Sequence, residues 1–265
     1  MSTVNDPWNE GELYTRYMGR WSSLAAEQFL RWLQMPAHLD WLDLGCGAGA
    51  LSVAISRRND PRKLYCIDPS AAFLEKTQKM LDMQATYAVG DAEHIPFADD
   101  NFDVVVSGLA MNFFPSMQAA LQEICRATKP GGTIAAYIWD YAGVMDMLRI
   151  FWSAVIELDP AAKKLDEAVR FAQYTPAFLR QHFLQAKLEH IETGFMEIET
   201  VFQDMEDYWS PFLSGQGPAP GYVASLNENN RERLFRHLQN KLPIQRDGSL
   251  HLKARAIAIA GKCPL

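Results

Sequence analysis

Several features are scarce in this 265-residue sequence, and each scarcity argues against a class of protein. The four cysteines show no C-x-x-C spacing, so they predict neither a disulfide framework nor a metal site, and reduced thiols in a cytoplasmic protein are the expectation. No apolar run approaches the roughly 20 residues that a bilayer-spanning helix needs. The first seven residues lack the basic region and apolar core of a signal peptide.

Positive charge is scarce as well. The sequence has 25 Lys and Arg against 32 Asp and Glu, a formal net charge of −7. A nucleic-acid partner requires clustered basic side chains, and the clusters at Arg57–Arg58 and at residues 231–236 are too sparse to provide them. No nucleic-acid partner is therefore predicted. The hydrophobic content of 48% is ordinary for a globular protein, and the length allows one large domain with a substantial core.

The most informative segment is 41–50, which reads Trp-Leu-Asp-Leu-Gly-Cys-Gly-Ala-Gly-Ala. An apolar run ends at an acidic residue, three glycines follow at alternate positions, and an amphipathic stretch begins at once. This pattern predicts a strand, a tight turn and the start of a helix. Glycines let a backbone turn sharply and let a ligand approach it, and the amides at a helix start favour a polar ligand.

Two nucleotide cofactors fit this turn. Gly45-x-Gly47-x-x-Ala50 matches the dinucleotide fingerprint, with Asp68 at the spacing expected for a ribose contact. The alternative gives weight to Asp43 and Gly49. A carboxylate beside the loop would repel a pyrophosphate, but it suits the ammonium group of S-adenosylmethionine (SAM).

Asp43-Leu44-Gly45-Cys46-Gly47-Ala48-Gly49 resembles the first motif of the class I SAM-dependent methyltransferases. Later segments resemble the family's further motifs in order and spacing, and the resemblance extends over residues 10 to 140; these segments are 63–70, 90–97, 101–107 and 129–132. The pattern is similar to bacterial small-molecule methyltransferases of the ubiquinone/menaquinone C-methyltransferase-like group.

The resemblance implies an α/β fold, a Rossmann-like seven-stranded mostly parallel sheet with helices on both faces. It also implies an N-terminal helical cap and a helical insertion before the last strand. The whole chain, 1–265, is predicted to be one domain, with the cap and SAM-binding core in 1–140. Helical lid segments on the acceptor side are predicted at 141–186, with a helix over 160–171, and at 203–247. The first strand is predicted over Asp40–Leu44, and residues 129–132 are predicted as the turn into a fifth strand.

The resemblance also implies how SAM is held. The glycine loop would seat its methionine end, with Asp43 either touching the ammonium or bracing the loop. Asp68 would accept from both ribose hydroxyls, or cap the next helix, and Asp91 would bind the adenine amino group, or serve only as a turn residue. The predicted cofactor-binding set is Tyr14, Tyr17, Arg20, Asp43, Gly45, Cys46, Gly47, Gly49, Asp68, Pro69, Ser70, Asp91, Ala92, Glu93, Ser107, Gly108 and Leu109.

The segment ahead of the first helix is rich in aromatic and basic residues. Arg20 would pair with the SAM carboxylate through a charge-assisted contact, and Tyr14 and Tyr17 would lie near the sulfonium. The alternatives are surface packing and an ordinary ion pair.

The acceptor pocket is predicted from residues that follow the fourth and fifth strands and from the insertion: Asn112, Phe113, Trp139, Tyr141, Trp209 and Tyr222. Their aromatic character favours a small apolar or aromatic acceptor, methylated by in-line displacement. Asp140 is the first candidate for a general base, followed by His182 and His94. The alternatives are an NAD-dependent oxidoreductase on the same core and a SAM-binding protein without catalysis.

Overall fold

The computed structural model describes residues 19–214 and 217–265, in which strands and helices alternate. The strands are β1 (Asp40–Leu44), β2 (Lys63–Asp68), β3 (Thr86–Val89), β4 (Phe102–Gly108), β5 (Thr128–Trp139), β6 (Glu189–Phe202) and β7 (Leu250–Lys262). They form one sheet in the order β3-β2-β1-β4-β5-β7-β6. The first five strands pair in parallel, and β7 pairs antiparallel with β5. The predicted fold class is confirmed.

The order of the strands defines where a ligand can bind. From β1 the chain moves outward through β2 and β3, then returns to place β4 on the other side of β1. In an open parallel sheet, ligands bind outside the carboxyl ends of the strands where the order reverses in this way. Asp43 pairs with Val106 and with Cys66, so the ends of β1, β2 and β4 meet at one edge.

Helices connect the strands as the sequence predicts. The helices are α1 (Arg20–Leu33), α2 (Ala50–Arg58), α3 (Ala71–Met80), α4 (Met117–Ala127), α5 (Asp146–Leu158), α6 (Glu167–Arg170), α7 (Pro176–Gln185), α8 (Met205–Trp209), α9 (Pro218–Ser225) and α10 (Glu228–Lys241). Serine hydroxyls cap two of them: Ser70 accepts from the Phe73 amide and Ser116 from the Ala119 amide. Each cap satisfies an amide that the helix cannot pair, which is why these helices begin where they do.

The core of the sheet is one cluster of buried apolar side chains. Leu42, Val105 and Ile134 from the central strands pack there with α4 and α7, the latter through Leu179 and Phe183. Burying one Leu or Ile side chain stabilises a protein by roughly 1.5–3 kcal/mol. The central strands are therefore apolar over most of their length, and polar residues appear where they end.

The chain divides into two compact units. Of the described residues, unit 1 contains 19–20, Asp140–Ala172 and those within Glu197–Arg255, and unit 2 contains Trp21–Trp139, Gln173–Met196 and Ala256–Leu265. The predicted lid segment 141–186 is thus split between the units. Its last helix, α7, belongs to unit 2 because its apolar face packs into the core of the sheet.

Two local predictions differ from the structure. Residues 129–132 were expected as a turn before the fifth strand, but β5 already begins at Thr128 and the segment forms a bulge between two registers with β4. Gly131, with φ +72°, accommodates that bulge. The helix predicted over 160–171 is a 3-10 segment (Pro160–Leu165) followed by α6, since Asp166 interrupts it and caps α6 through the Ala168 amide.

Within the described residues, no helix has the length and apolar character that crossing a membrane requires.

Candidate functional site

The loop after β1 is shaped by its glycines. Gly45 has a φ of +72° and Gly47 a φ of +53°, in the left-handed region that favours glycine. A Cβ added to Gly45 would lie 2.7 Å from the Cβ of Ala110, which follows β4. A Cβ added to Gly47 would meet no atom of the described residues within 4 Å. The loop is therefore packed tightly at Gly45 and open at Gly47, where a ligand can approach the backbone.

Asp43 lies beneath this loop and is fully buried. The Ser52 hydroxyl donates to Asp43 Oδ2 at 2.5 Å, whereas Oδ1 has no hydrogen-bond partner among the described residues. Burial raises the pKa of Asp43 to about 7, and the nearby Asp68 charge adds to the increase. A buried oxygen without a donor costs roughly 1–3 kcal/mol, so this oxygen favours a ligand that carries a donor. One carboxylate oxygen braces α2 and the other is available.

Asp68 ends β2 beside the glycine loop and is 6% exposed. The Gly47 amide donates to its Oδ2 and the Ser70 amide to its Oδ1, each at 2.9 Å. Burial raises the pKa of Asp68, and the two amide bonds oppose that increase. Each carboxylate oxygen has two lone pairs, so both oxygens keep the capacity to accept from a diol. The alternative role predicted for Asp68 was to cap the next helix. In the structure the side chain that caps α3 is that of Ser70, which follows Pro69.

Two residues that the sequence analysis missed hold the loop from below. Thr77 Oγ1, fully buried on α3, donates to the Gly47 carbonyl at 2.8 Å. Ser52 fixes Asp43 from α2. Ser52 and Thr77 are polar side chains on helix faces that are otherwise apolar. This exception to the apolar pattern is the feature of the sequence that could have identified them. The Cys46 thiol is buried, and its pKa is raised, chiefly by its contact with Cys66. It is therefore an uncharged packing group.

The predicted adenine-side loop follows β3. Asp91 Oδ1 accepts from the amides of Glu93 (2.8 Å) and His94 (2.9 Å), so this carboxylate does organise a turn. Glu93 Oε1 accepts from the Ser116 amide at 2.7 Å and thereby fastens the loop to the start of α4. Ala92 is buried. The adenine contacts of these residues stay predictions.

The end of β4 faces the glycine loop. Ser107 is 2% exposed, and its hydroxyl has no partner among the described residues. Gly108 leaves space for the Tyr137 ring, whose hydroxyl would be 2.8 Å from an added Cβ. Leu109 has a φ of +59°, and its amide donates to the Tyr137 carbonyl at 2.8 Å. Polar atoms without protein partners thus lie at the ends of both β1 and β4.

Three predicted pocket residues, Asn112, Phe113 and Trp139, lie farther along the same edge. Asn112, in the 3-10 segment Met111–Phe113, is 6% exposed, and Trp139, the last residue of β5, is 3% exposed. Neither Asn112 Nδ2 nor Trp139 Nε1 has a hydrogen-bond partner among the described residues. The ring of Phe113 is 43% exposed. This part of the edge combines apolar surface with a few buried donors, as small-molecule sites do.

Known proteins with similar sequences identify the family. A family model described as a methyltransferase domain matches residues 42–136. The malonyl-[acyl-carrier protein] O-methyltransferase of Pectobacterium atrosepticum is 32% identical over 200 residues, which cover 72% of this chain and 72% of that protein. The chain belongs to the SAM-dependent methyltransferases. The demethylmenaquinone methyltransferase of Lactobacillus johnsonii is 26% identical over 189 residues, covering 65% of this chain and 74% of that protein.

A solved methyltransferase shares the fold. The phosphoethanolamine N-methyltransferase 2 of Haemonchus contortus, in complex with SAM, matches with a TM-score of 0.59 at 17% identity, covering 98% of this chain and 59% of that one. Membership of the family decides the cofactor as SAM rather than NAD. The residues of this methyltransferase fit that cofactor, because Asp43 Oδ1 awaits a donor, Gly47 is open and Asp68 keeps free lone pairs.

Of the three N-terminal residues predicted to contact SAM, the structure describes only Arg20. Tyr14 and Tyr17 lie outside the described residues. Arg20 donates through Nη1 to Asp207 at 2.9 Å, and its guanidinium lies 4.6 Å from the centroid of the Phe202 ring. The ordinary ion pair that the sequence left open is therefore present in this methyltransferase, and a contact from Arg20 to the SAM carboxylate stays a prediction.

Asp140, the first candidate for the general base, is part of an ion pair. Arg255 donates to Asp140 Oδ2 from Nε at 2.8 Å and from Nη2 at 2.5 Å, and the Gly143 amide donates to Oδ1 at 3.0 Å. All three contacts tie the carboxylate of Asp140 into the turn after β5. Its role as a general base stays a prediction.

The two histidine candidates are also explained locally. His94 is largely exposed and its Nδ1 lies 3.2 Å from Asp91 Oδ1. His182 Nδ1 lies 3.0 Å from the Phe178 carbonyl of its own helix, α7. These contacts do not indicate that either histidine acts as a general base, and that role stays a prediction for both.

Three predicted pocket aromatics pack within unit 1. The Tyr141 ring lies 5.0 Å from that of Phe171, and Trp209 packs against Phe212 and Phe235. The Tyr222 hydroxyl donates to Asp159 at 3.3 Å, and burial raises the pKa of Tyr222 to about 12. These contacts give all three residues a packing role, and their contact with an acceptor stays a prediction.

Proposed function

We propose that this methyltransferase transfers the methyl group of SAM to a small apolar or aromatic acceptor that binds outside the ends of β4 and β5. One observation carries this proposal. The segments 104–114 and 133–139, which build that edge, contain no Lys, Arg, His, Asp or Glu. The cofactor part of the same edge carries Asp43, Asp68 and Asp91. The charged residue that follows β5, Asp140, is already paired with Arg255, and the lack of charge within these two segments favours a neutral acceptor, since a buried ion without a counter-charge is costly.

Positioning is the main task of the residues in this mechanism. When bound, SAM supplies a methyl group that is already electrophilic because of the sulfonium charge. Asp43, the glycine loop and Asp68 fix the methionine and ribose ends, and Ser107 and Leu109 lie where β4 ends next to them. Holding a nucleophile in line at about 3–3.5 Å from the methyl carbon then provides much of the rate acceleration.

Proton removal is not assigned to a side chain. The edge segments 104–114 and 133–139 provide no acid–base group, and Asp140 is engaged by Arg255. We therefore expect an acceptor whose nucleophilic atom ionises in water or is already uncharged with a free lone pair. The proton leaves to solvent and the electron pair of the broken C–S bond stays on sulfur, giving S-adenosylhomocysteine.

The test is an acceptor screen with full-length protein and SAM, read by the release of S-adenosylhomocysteine. The screen compares neutral aromatic and alicyclic compounds, phosphorylated amines and malonyl-[acyl-carrier protein]. We expect turnover in the neutral set alone. Turnover only with the phosphorylated amines or the carrier protein would contradict the proposed acceptor class and leave the methyltransferase assignment intact.

A further inference from the structure

Two buried N–H donors on the acceptor side of unit 2 are not used by the fold. They are Nδ2 of Asn112 and Nε1 of Trp139, which have no hydrogen-bond partner among the described residues. Both side chains are more than nine-tenths buried. Nearly all buried polar groups in proteins are hydrogen-bonded, so each exception needs an explanation.

The positions of these donors separate them from the cofactor. Asn112 follows β4 in a 3-10 segment that packs against β5, and Trp139 ends β5. The Leu109 amide ties this segment to β5 through the Tyr137 carbonyl. The residues assigned to SAM come mainly from the loops after β1, β2 and β3, on the opposite side of the point where the strand order reverses. We therefore assign these two donors to the acceptor and not to SAM.

The backbone of Asn112 is held without its side chain. The Tyr174 hydroxyl donates to the Asn112 carbonyl at 3.1 Å. A structural asparagine usually fixes a turn through its own carboxamide. Here Nδ2 is left for another group, and the neighbouring Phe113, which is 43% exposed, adds apolar surface.

The chemistry of the donors indicates the group that they bind. Both are neutral, and the segments that carry them contain no charged side chain. A carboxylate or phosphate would be buried there without a counter-charge, whereas a carbonyl oxygen can accept two N–H bonds. We propose that Asn112 and Trp139 bind a carbonyl oxygen of the acceptor, next to the atom that is methylated. This inference rests on the proposed function, whose acceptor class it narrows to neutral carbonyl compounds.

A carbonyl held in this way would also favour ionisation of the acceptor. When the proton on the neighbouring carbon or enol oxygen leaves to solvent, negative charge develops on the bound oxygen, and two preorganised donors stabilise it. The enolate then forms its bond to the methyl carbon as the C–S bond breaks with its electron pair on sulfur. The products are the methylated carbonyl compound, S-adenosylhomocysteine and one proton.

The chain offers a matched control. Nε1 of Trp41 is also buried without a partner among the described residues, but Trp41 pairs with Leu64 and Val104 near the start of β1. It is therefore remote along the strand from the edge. Trp41→Phe and Trp139→Phe both remove one indole N–H from a buried site, and only the second removes a proposed acceptor contact.

The experiment is calorimetric titration of full-length protein saturated with S-adenosylhomocysteine. The probes share one frame: 1-tetralone has a carbonyl, tetralin has none, and tetralin-1-carboxylate has an anion. We expect 1-tetralone to bind at least about tenfold more tightly than tetralin. Asn112→Leu and Trp139→Phe should each remove most of this preference, and Trp41→Phe should keep it.

Each other outcome would overturn a stated part of the proposal. Equal binding of 1-tetralone and tetralin would overturn the carbonyl assignment but support the apolar acceptor site. The carbonyl assignment and the apolar acceptor site would both be overturned if tetralin-1-carboxylate bound most tightly. They would also be overturned if none of the three probes bound. Retention of the preference in both Trp139→Phe and Asn112→Leu would show that other groups bind the carbonyl, and the assignment of these residues would be wrong.

Discussion

The two units treat their buried polar groups differently. In unit 1 the aromatic donors find partners inside the unit: Tyr208 donates to the Met147 carbonyl at 2.8 Å, and Trp152 donates to the buried Glu167. In unit 2, at the carboxyl edge of the sheet, Asp43 Oδ1, the Ser107 hydroxyl and the donors of Asn112 and Trp139 have none. Unit 1 thus pairs these two aromatic donors internally, although Thr200 Oγ1 and Arg231 Nε also lack partners there among the described residues, whereas in unit 2 several unpartnered groups lie together at one edge of the sheet.

Hydrogen-bond partners also distinguish two buried acids, Asp43 in unit 2 and Glu167 in unit 1, whose pKa values are similar. Burial raises the pKa of Asp43 and of Glu167 to about 7 each. A perturbed pKa alone does not tell a ligand site from packing. The hydrogen-bond partners do, since Asp43 has an unpartnered oxygen under an open glycine loop and Glu167 accepts from Trp152 among aromatic rings.

The largest effect is expected on the stability of unit 1. Asp140→Asn leaves Arg255 without its main partner, and we expect the free energy of unfolding to fall by about 3 kcal/mol. Turnover per folded molecule should stay unchanged. Urea unfolding and kcat measured on the same sample check this. A large fall in kcat with unchanged stability would support Asp140 as a base.

Gly47→Ala tests the open side of the glycine loop. The added Cβ meets no atom of residues 19–214 or 217–265, so we expect it to occupy space that the ligand uses and SAM affinity to fall by about 100-fold, or about 2.7 kcal/mol. Gly248→Ala is the control, because Gly248 also has a positive φ, +92°, and open space around its Cβ position. Calorimetry should show normal SAM binding for the control. Equal losses in both variants would mean that backbone strain, not occlusion, causes the effect.

Asp43→Asn tests the buried acid, with Glu167→Gln as its counterpart in unit 1. Because the pKa of Asp43 is raised from 3.8 to about 7, the folded protein binds this proton more tightly than the unfolded chain. The resulting stability is fully present below about pH 4 and is lost as the pH rises towards 7. Both variants should flatten this pH dependence in urea unfolding.

SAM affinity should distinguish the two acids. At pH 8 we expect about a tenfold loss for Asp43→Asn, because a charge-assisted contact is removed, and no loss for Glu167→Gln. Calorimetric titration at pH 8 checks both. Normal affinity in Asp43→Asn would assign Asp43 to bracing α2 alone.

The smallest effect is expected at Arg20. Its pair with Asp207 is about one-third exposed, so Arg20→Ala should lower the free energy of unfolding by less than about 1 kcal/mol. Asp207→Asn should cost a similar amount, and the double variant little more than either. A tenfold loss of SAM affinity in Arg20→Ala alone would instead support the contact with the SAM carboxylate.

Local signals in the sequence predicted the sheet and the cofactor loops. β1 over Asp40–Leu44 is confirmed residue for residue, since an apolar run ended by an acid and a glycine marks its own limits. The ion pair of Asp140 could not be predicted, because Arg255 lies 115 residues away. Asn112 and Trp139 were predicted as pocket residues from their positions after β4 and β5, but their unpartnered N–H donors are visible only once the surrounding atoms are placed.

The strand order has a consequence for synthesis on the ribosome. β7 is the last strand made, yet it lies between β5 and β6. Until it is translated, β6 has no neighbour in the sheet, and β5 exposes an unpaired edge next to apolar side chains. Such pairing between distant segments is slow, and open strand edges promote aggregation. The sheet is therefore completed only when β7 has been made. A chain that is terminated before residue 250 would leave β5 and β6 with unpaired edges that promote aggregation.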